Sequence, residues 1–249
     1  MHFSETPPVD EVEAYYQRAA QWLLPFLSGR TAFYSRVPGA AFERMDGPPP
    51  PDAVELRVAN IRTRTPLRPD WLALRLRSAT QPCWNLCAAA EATQQLLTEL
   101  GFEFFWKVSG TGGLHVLLPV QARYGFGAVA DFARMLAEIV VSRVPGAATT
   151  QRQPGSRRVC IDAVANGRDV MLLPPLSVRA QMPARISLPL AWGQLHQALS
   201  RTGSCPEFDL TISPELLSMG GILAQRALLN PNDLEPGFIA LESALQSAS

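Results

Sequence analysis

The segment Glu103–Val120 reads EFFWKVSGTGGLHVLLPV, and the neighbouring elements can be placed around it. Two apolar runs, Glu103–Val108 and Leu114–Val120, predict strands joined by the turn Ser109-Gly-Thr-Gly-Gly113. Glycine favours such a turn because it adopts positive φ angles at no steric cost. The segment therefore predicts a β-hairpin at the centre of a sheet.

Helices and further strands are predicted on both sides of this hairpin. Helical spacing of apolar residues predicts helices at 10–27, 82–100, 126–143 and 190–199, and short apolar runs predict strands at 31–37, 71–77, 158–162 and 170–173. For the last fifty residues, the sequence pattern predicts an irregular acidic segment that ends in a weak helix. This mixture of elements predicts the α+β class with a largely antiparallel sheet.

The strand predicted at Trp71–Arg77 alternates strictly in polarity. Successive side chains on a strand point to opposite faces, so Arg75 and Arg77 share one face. Charged residues on the solvated face of a half-buried strand are common, so in isolation these two arginines would predict no function. The opposite face carries Leu72, Leu74 and Leu76.

Composition limits the classes of protein to which the chain can belong. The chain has 249 residues, of which 47% are hydrophobic and 18% charged, which excludes a disordered protein. No apolar run approaches the roughly 18 residues of a membrane span. The start, Met1–Asp10, lacks the pattern of a secretory signal, so a cytoplasmic protein without membrane contact is expected.

Charge is distributed unevenly along a chain whose formal net charge is zero. Overall charge therefore cannot hold the protein on nucleic acid. However, residues 55–77 carry a net charge of +4 and residues 143–185 a net charge of +5, whereas both chain ends are acidic. The two basic segments could converge into one surface for an anionic ligand.

Three familiar motifs occur only in fragments. Gly125–Ala130 matches a dinucleotide-binding fingerprint but lacks the preceding strand and the later acid. Ser109, His115 and Asp162 supply the residue types of an acyl-transfer triad, yet no nucleophile elbow surrounds the serine. The four cysteines and three histidines are too scattered for a CxxC-type zinc site, and Cys83 and Cys87 are interpreted as core residues with no disulfide.

The turn and its flanks resemble the Ser-Gly-x-x-Gly-x-His signature of the archaeo-eukaryotic primase superfamily. The resemblance is closest to the polymerase domain of bacterial DNA ligase D. It extends over roughly residues 12–199, with further elements in the same order at Ser35–Gly39, around Ile161-Asp162, and at Leu176–Arg179. The family is identified from this combination.

This resemblance implies a primase-polymerase fold, in which an RRM-like, mainly antiparallel sheet flanked by helices lies beside an N-terminal α/β module. The expected division is an N-terminal module at 1–70, the core at 71–200 and an acidic C-terminal segment at 201–249, packed as one compact unit. The implied function is addition of nucleotides to DNA or RNA ends in non-homologous end joining.

Catalysis in this family uses two metal ions held by an Asp-x-Asp on one strand and a third Asp nearby. The matching strand here carries Arg75-x-Arg77, and Asp162 is the catalytic remnant. A divalent ion about 5 Å from one guanidinium would be repelled by about 6 to 7 kcal/mol at an effective dielectric constant near 20. The resemblance therefore predicts a weak metal site or none at Asp162 and no cofactor.

The expected function is binding of DNA ends, RNA ends or nucleotides without catalysis, together with a ligase or an end-binding repair protein. In one alternative, Asp70 or Glu103 approaches Asp162 and restores an active Mg²⁺ or Mn²⁺ site. In another, the chain is a partner-binding subunit that uses Trp84, Trp106 or the acidic tail. The resemblance implies nucleotide or phosphate contacts by Ser109, His115, Asn166, Arg179, Arg75 and Arg77, and nucleic-acid contacts by Arg36, Phe42 and Arg168.

Overall fold

Two β-sheets and six α-helices make up the computed structural model over residues 6–247, the part of the chain that it describes. Residues 1–5, half of the polar start considered above, lie outside this range. The helices are α1 (Val9–Leu27), α2 (Asn85–Glu99), α3 (Phe126–Arg143), α4 (Trp192–Thr202), α5 (Pro214–Ala227) and α6 (Glu235–Ser247). The strands are β1 (Ala32–Ser35), β2 (Glu43–Arg44), β3 (Glu55–Ala59), β4 (Trp71–Arg77), β5 (Phe105–Val108), β6 (Leu114–Pro119), β7 (Ala148–Thr149), β8 (Val159–Asp162), β9 (Met171–Leu172) and β10 (Pro189–Leu190).

The larger sheet has the strand order β10-β5-β6-β4-β8-β7. All of its pairs are antiparallel except β7 with β8. The predicted hairpin is β5–β6, and its turn closes with a hydrogen bond of 2.8 Å from the Ser109 N–H to the Gly113 carbonyl. The predicted α+β class with a largely antiparallel sheet is confirmed.

Strand β4 lies between β6 and β8 in this sheet. Its leucine face is fully buried, as expected. The other face differs from the prediction, because Trp71 and Ala73 are also buried, in a cluster with Phe26 and Phe105. Only the last part of that face, at Arg75 and Arg77, remains partly exposed.

The smaller sheet has the order β2-β1-β3-β9. It joins strands from the predicted N-terminal module to β9, which lies in sequence between β8 and β10 of the larger sheet. Helix α1 connects the same regions, since the Tyr15 hydroxyl donates to the Leu176 carbonyl at 2.8 Å and the Tyr16 hydroxyl donates to the Val54 carbonyl at 2.7 Å. These contacts hold Val54 and Leu176 against the same helix.

The C-terminal region is helical rather than irregular, which corrects our expectation. Helix α5 begins with Pro214 in its first turn, after Ser213, whose Oγ accepts a hydrogen bond from the Leu216 N–H. Gly221 lets α5 pack closely on α1, because a Cβ there would lie 2.2 Å from Cγ of Trp22. No helix in the described range is long and apolar enough to cross a membrane.

Candidate functional site

An open cleft of about 710 Å³ lies where β4, β6 and β8 end beside the glycine-rich turn. Among the described residues, six arginines line it and no aspartate or glutamate does. The arginines come from both basic segments, so the predicted convergence of these segments is confirmed. They are Arg57, Arg75, Arg77, Arg152, Arg158 and Arg179.

Strand register places the central pair of arginines. Arg75 lies opposite His115 of β6 on one side and opposite Asp162 of β8 on the other. Arg77 is two residues further along the same face and lies opposite Cys160. The geometry of β4 therefore directs two guanidinium groups toward a single carboxylate.

Asp162 is held by these two cations. Its Oδ2 lies 3.3 Å from Nε of Arg75 and 3.5 Å from Nε of Arg77, and its Oδ1 accepts a hydrogen bond of 2.8 Å from the Val164 N–H. Burial lowers the pKa of Arg75, and attraction to Asp162 opposes this shift. Both carboxylate oxygens have partners, so Asp162 serves as a counter-ion.

Glu55 performs a similar task for Arg57 and Arg179, two other arginines of the cleft. Its buried carboxylate accepts hydrogen bonds from Nε of Arg57 at 2.7 Å, from Nη1 of Arg179 at 3.0 Å and from the Ala180 N–H at 3.1 Å. The guanidinium of Arg57 lies over the ring of Phe42, 5.2 Å from its centroid. Nε of Arg179 is buried and has no hydrogen-bond partner among the described residues.

Lys107 is fully buried and determines the state of His115. Its Nζ donates to Oγ of Ser187 at 2.6 Å and contacts Nδ1 of His115 at 3.0 Å. Burial lowers the pKa of both groups well below the usual range, and the nearby cations Arg75 and Arg179 lower both values further. His115 also lines the cleft, and the neutral tautomer whose Nδ1 accepts from Lys107 is the one that carries its proton on Nε2.

Internal hydrogen bonds and close packing fix the conformation of the glycine-rich turn. Oγ of Ser109 accepts hydrogen bonds from the N–H groups of Thr111 at 3.1 Å and Gly113 at 3.0 Å. A Cβ at Gly113 would lie 2.8 Å from the Leu76 carbonyl oxygen, so the turn packs against the end of β4 without room for a side chain. Ser109 thus lines the cleft chiefly as a residue that orders the turn.

The cleft lies within a region that matches a known protein family. The family described as "LigD, primase-polymerase domain" matches residues 51–211, a range that contains every arginine of the cleft. The chain belongs to this family.

Two curated relatives carry the same region within longer proteins. The multifunctional non-homologous end joining protein LigD of Pseudomonas aeruginosa is 28% identical over 141 residues, which are 55% of this chain and 17% of the relative. The bifunctional non-homologous end joining protein LigD of Bacillus subtilis is 22% identical over 153 residues, or 55% of this chain and 25% of the relative. The matched region is therefore a quarter or less of these curated relatives.

A solved structure supports the family assignment at the level of the fold. The polymerase domain from Mycobacterium tuberculosis ligase D, determined in complex with DNA, has a TM-score of 0.74 at 18% identity. The similarity covers 90% of this chain and 93% of that domain. The α+β architecture is thus the fold of the ligase D polymerase domain.

Five of the predicted contact residues line the cleft, namely Ser109, His115, Arg179, Arg75 and Arg77. Asn166 does not, contrary to our prediction. Its side chain is fully buried, with Oδ1 accepting from the Ala73 N–H at 2.8 Å and Nδ2 donating to the carbonyls of Ala73 and Ala163. Asn166 therefore bridges β4 to the turn after β8, and a ligand cannot reach it.

The predicted nucleic-acid contacts are also dispersed. Arg36 is held by Asp52, Glu43 and Tyr34, away from the cleft lining, and Arg168 is exposed outside it. Phe42 is half-buried and reaches the cleft only through Arg57.

Sequence reasoning missed several residues of the site, although the charge of the two basic segments signals the arginines among them. The residues without a predicted role are Arg57, Arg152, Arg158, Glu55 and Lys107. No local pattern marks Glu55 or Lys107, because their partners come from distant segments.

The described residues do not fit a pair of divalent cations. Asp162 is engaged as above, and neither acid considered as a replacement lines the cleft. Asp70 precedes β4 at its opposite end and is bound by Arg30 at 2.5 Å and Arg62 at 2.9 Å. Glu103 lies just before β5, at the end of that strand remote from the turn.

Proposed function

We propose that the chain binds the phosphate groups of nucleic-acid ends or nucleotides in the arginine cleft, without metal ions, as part of non-homologous end joining. The observation that carries this proposal is a cleft lined by six arginines and, within residues 6–247, by no carboxylate. Guanidinium groups bind phosphate oxygens through paired N–H donors and remain charged at all physiological pH values. A cleft lined in this way can bind a polyanion.

Arg75 and Arg77 are proposed to occupy the positions of the metal-binding Asp-x-Asp of the family. Their Nε atoms lie 3.3 and 3.5 Å from Oδ2 of Asp162, the acid that pairs with both of them within residues 6–247, so the local charge of the trio is +1. A divalent ion in that place would meet the repulsion of several kcal/mol estimated above. We therefore propose that the chain does not transfer nucleotides.

His115 and the turn would supply neutral donors beside the arginines. In the tautomer whose Nδ1 accepts from Lys107, the His115 ring carries its proton on Nε2, and Gly112, with a φ angle of +80°, lines the cleft beside it. Neutral donors together with cations distinguish a phosphate group from a chloride ion, because they add directional hydrogen bonds. The names of the relatives and the DNA in the similar structure favour a nucleic-acid end as the ligand.

Binding is tested by fluorescence anisotropy on a DNA duplex with a recessed end, compared with and without a 5′-phosphate, in EDTA. We expect binding that is unaffected by EDTA and tighter with the phosphate. The double variant Arg75→Ala with Arg77→Ala should weaken binding and reduce the slope of log K against log salt by about 2, because two phosphate contacts are lost.

The matched control removes two arginines that do not line the cleft. Arg134 in α3 and Arg201 in α4 are both exposed, and Arg134 pairs only with Asp131 of its own helix among the described residues. Arg134→Ala with Arg201→Ala changes the net charge equally and should leave affinity and salt slope nearly unchanged. Equal losses in both double variants would show nonspecific attraction and overturn the proposed cleft.

Loss of catalysis is tested separately with primer extension on gapped and overhanging DNA, in Mg²⁺ and in Mn²⁺. We expect no incorporation. Incorporation that disappears in Asp162→Ala would overturn the metal-free interpretation while leaving DNA binding intact as a function.

A further inference from the structure

A second cluster of chemically reactive side chains lies outside the cleft, between α2 and α4. It consists of Cys87 and Glu91 on α2 and His196 on α4. None of the three lines the arginine cleft. The function proposed above uses none of them, so the inference below is independent of it.

The three donor atoms are already gathered. Sγ of Cys87, a carboxylate oxygen of Glu91 and a ring nitrogen of His196 all lie within 4.8 Å of one another. Oε1 of Glu91 is 2.6 Å from Nε2 of His196 and 3.6 Å from Sγ of Cys87. Cys87 and Glu91 are four residues apart, and side chains at this spacing lie on one face of a helix.

A thiolate, an imidazole and a carboxylate are the usual protein ligands of zinc. Zinc bonds of about 2.0 to 2.3 Å in tetrahedral geometry separate neighbouring ligand atoms by roughly 3.2 to 3.7 Å. The Cys87 to Glu91 separation of 3.6 Å already fits, while the contact between Glu91 and His196 must widen by about half an ångström. Both of these side chains are about two-fifths exposed, so small rotations are available to them.

The ring of His196 is supported by a neighbour. Trp192, one helical turn earlier on α4, has its ring centroid 5.4 Å from that of His196, and it also contacts Trp106 at 5.8 Å. This packing limits the orientations of the imidazole and keeps Nε2 directed at α2. A ligand held in place before metal binding loses little conformational freedom on binding.

We propose that Cys87, Glu91 and His196 form a three-ligand site for zinc or a similar thiophilic divalent cation, with water as the fourth ligand, that ties α4 to α2. The cation would replace the hydrogen bond between Glu91 and His196 with two coordinate bonds. The sulfur would bind as thiolate, and its proton would pass to solvent. Metal uptake therefore releases this proton.

The sequence alone does not predict this site, because its ligands are far apart along the chain. Two ligands lie one helical turn apart, but the third belongs to a helix more than a hundred residues later, so no CxxC-like motif exists. Only the packing of α4 on α2 brings His196 to the other two residues. The prediction of no CxxC-type site and the present proposal are therefore compatible.

Titration of the metal-free full chain with Co²⁺ tests the site directly. We expect saturation at one equivalent, with a near-ultraviolet thiolate-to-cobalt charge-transfer band, tetrahedral visible bands and displacement by Zn²⁺. Cobalt near Trp192 should also quench part of the tryptophan fluorescence. Cys87→Ser should abolish the charge-transfer band, and His196→Ala should reduce the stoichiometric binding to weak, nonspecific binding.

Two further variants keep the test decisive. Cys205→Ala removes a different buried thiol and should retain the band, while Glu91→Gln preserves side-chain size and should weaken binding without unfolding the protein. Stoichiometric Zn²⁺ should raise the melting temperature of the unmodified chain by several degrees and have no effect on Cys87→Ser. Absence of a charge-transfer band in the unmodified chain, or its persistence in Cys87→Ser, would overturn the site.

Discussion

Replacing Asp162 with asparagine separates a counter-ion from a metal ligand. The substitution keeps the size of the side chain and the Oδ1 acceptor for the Val164 N–H, and it removes one negative charge beside Arg75 and Arg77. A counter-ion should stabilise the folded protein and compete with an anionic ligand. If Asp162 instead holds a metal ion, it should support binding of the anionic ligand.

The expected loss of stability follows from the contacts. Nε of Arg75 and of Arg77 lies 3.3 and 3.5 Å from Oδ2 of Asp162. For unit charges about 4 Å apart, the gross attraction is about 4 kcal/mol per pair at an effective dielectric constant of about 20. The side chains of Arg75 and Asp162 are 17% and 16% exposed, whereas Arg77 is 40% exposed and contributes at most about 1 kcal/mol after solvent screening. With the lower end of the range for breaking a buried pair, we expect Asp162→Asn to lower the free energy of unfolding by about 2 to 3 kcal/mol.

Ligand affinity should change in the opposite direction. A bound phosphate takes over as partner of the two guanidinium groups, so removal of the competing carboxylate recovers part of the lost free energy. Recovery of about 1.4 kcal/mol corresponds to roughly tenfold tighter binding. Urea denaturation at pH 7.5 measures the stability, and anisotropy with 5′-phosphorylated DNA, in EDTA and in Mg²⁺, measures the affinity.

Asp131→Asn is the matched control, because Asp131 forms an exposed pair with Arg134 one turn later in α3. Its effect on stability should stay below about 0.5 kcal/mol, and DNA affinity should not change. If Asp162→Asn leaves stability unchanged and weakens DNA binding, Asp162 contacts the ligand itself. The counter-ion interpretation would then be wrong.

Three other substitutions test separate parts of the site. Because the pKa of His115 is lowered in the folded protein, the unfolded chain takes up a proton near pH 6.5 that the folded chain excludes. The free energy of unfolding should therefore fall as the pH drops from about 7 to 5, by up to about 1.4 kcal/mol per pH unit. His115→Gln should remove that part of the pH dependence, measured as urea midpoints. Gly113→Ala should destabilise the protein by about 2 kcal/mol or more in thermal melts because its Cβ meets the main chain of β4, while Gly127→Ala, with open space around its Cβ, should be neutral or slightly stabilising. Asn166→Ala should lower stability by about 2 to 4 kcal/mol by leaving the polar groups of Ala73 unpaired, yet folded protein at low temperature should bind DNA with unchanged affinity; a selective loss of affinity would restore Asn166 to the binding site.

Local patterns predicted most of the elements around the site. Strand β4 and helix α3 have the predicted bounds residue for residue, and the hairpin of β5 and β6 lies where the glycine turn places it. Such elements depend on side-chain periodicity and turn chemistry, which involve residues close together along the chain. Helix α5 was missed although Ser213 and Pro214 mark its start.

The sequence alone also determined the kinds of groups available: an arginine pair on one strand face, one acid on a following strand, a histidine after a glycine turn, and two basic segments. Tertiary structure decided which of them meet. Asp162 reaches Arg75 because β8 pairs with β4, and Arg57 and Arg179 reach the cleft because Glu55 binds both. Strand order and register arise from burial of apolar faces contributed by segments far apart in the chain, so no local pattern encodes them. For the same reason, Asn166 became a bridge within the core rather than a contact for ligand, and His196 came to lie beside Cys87 and Glu91.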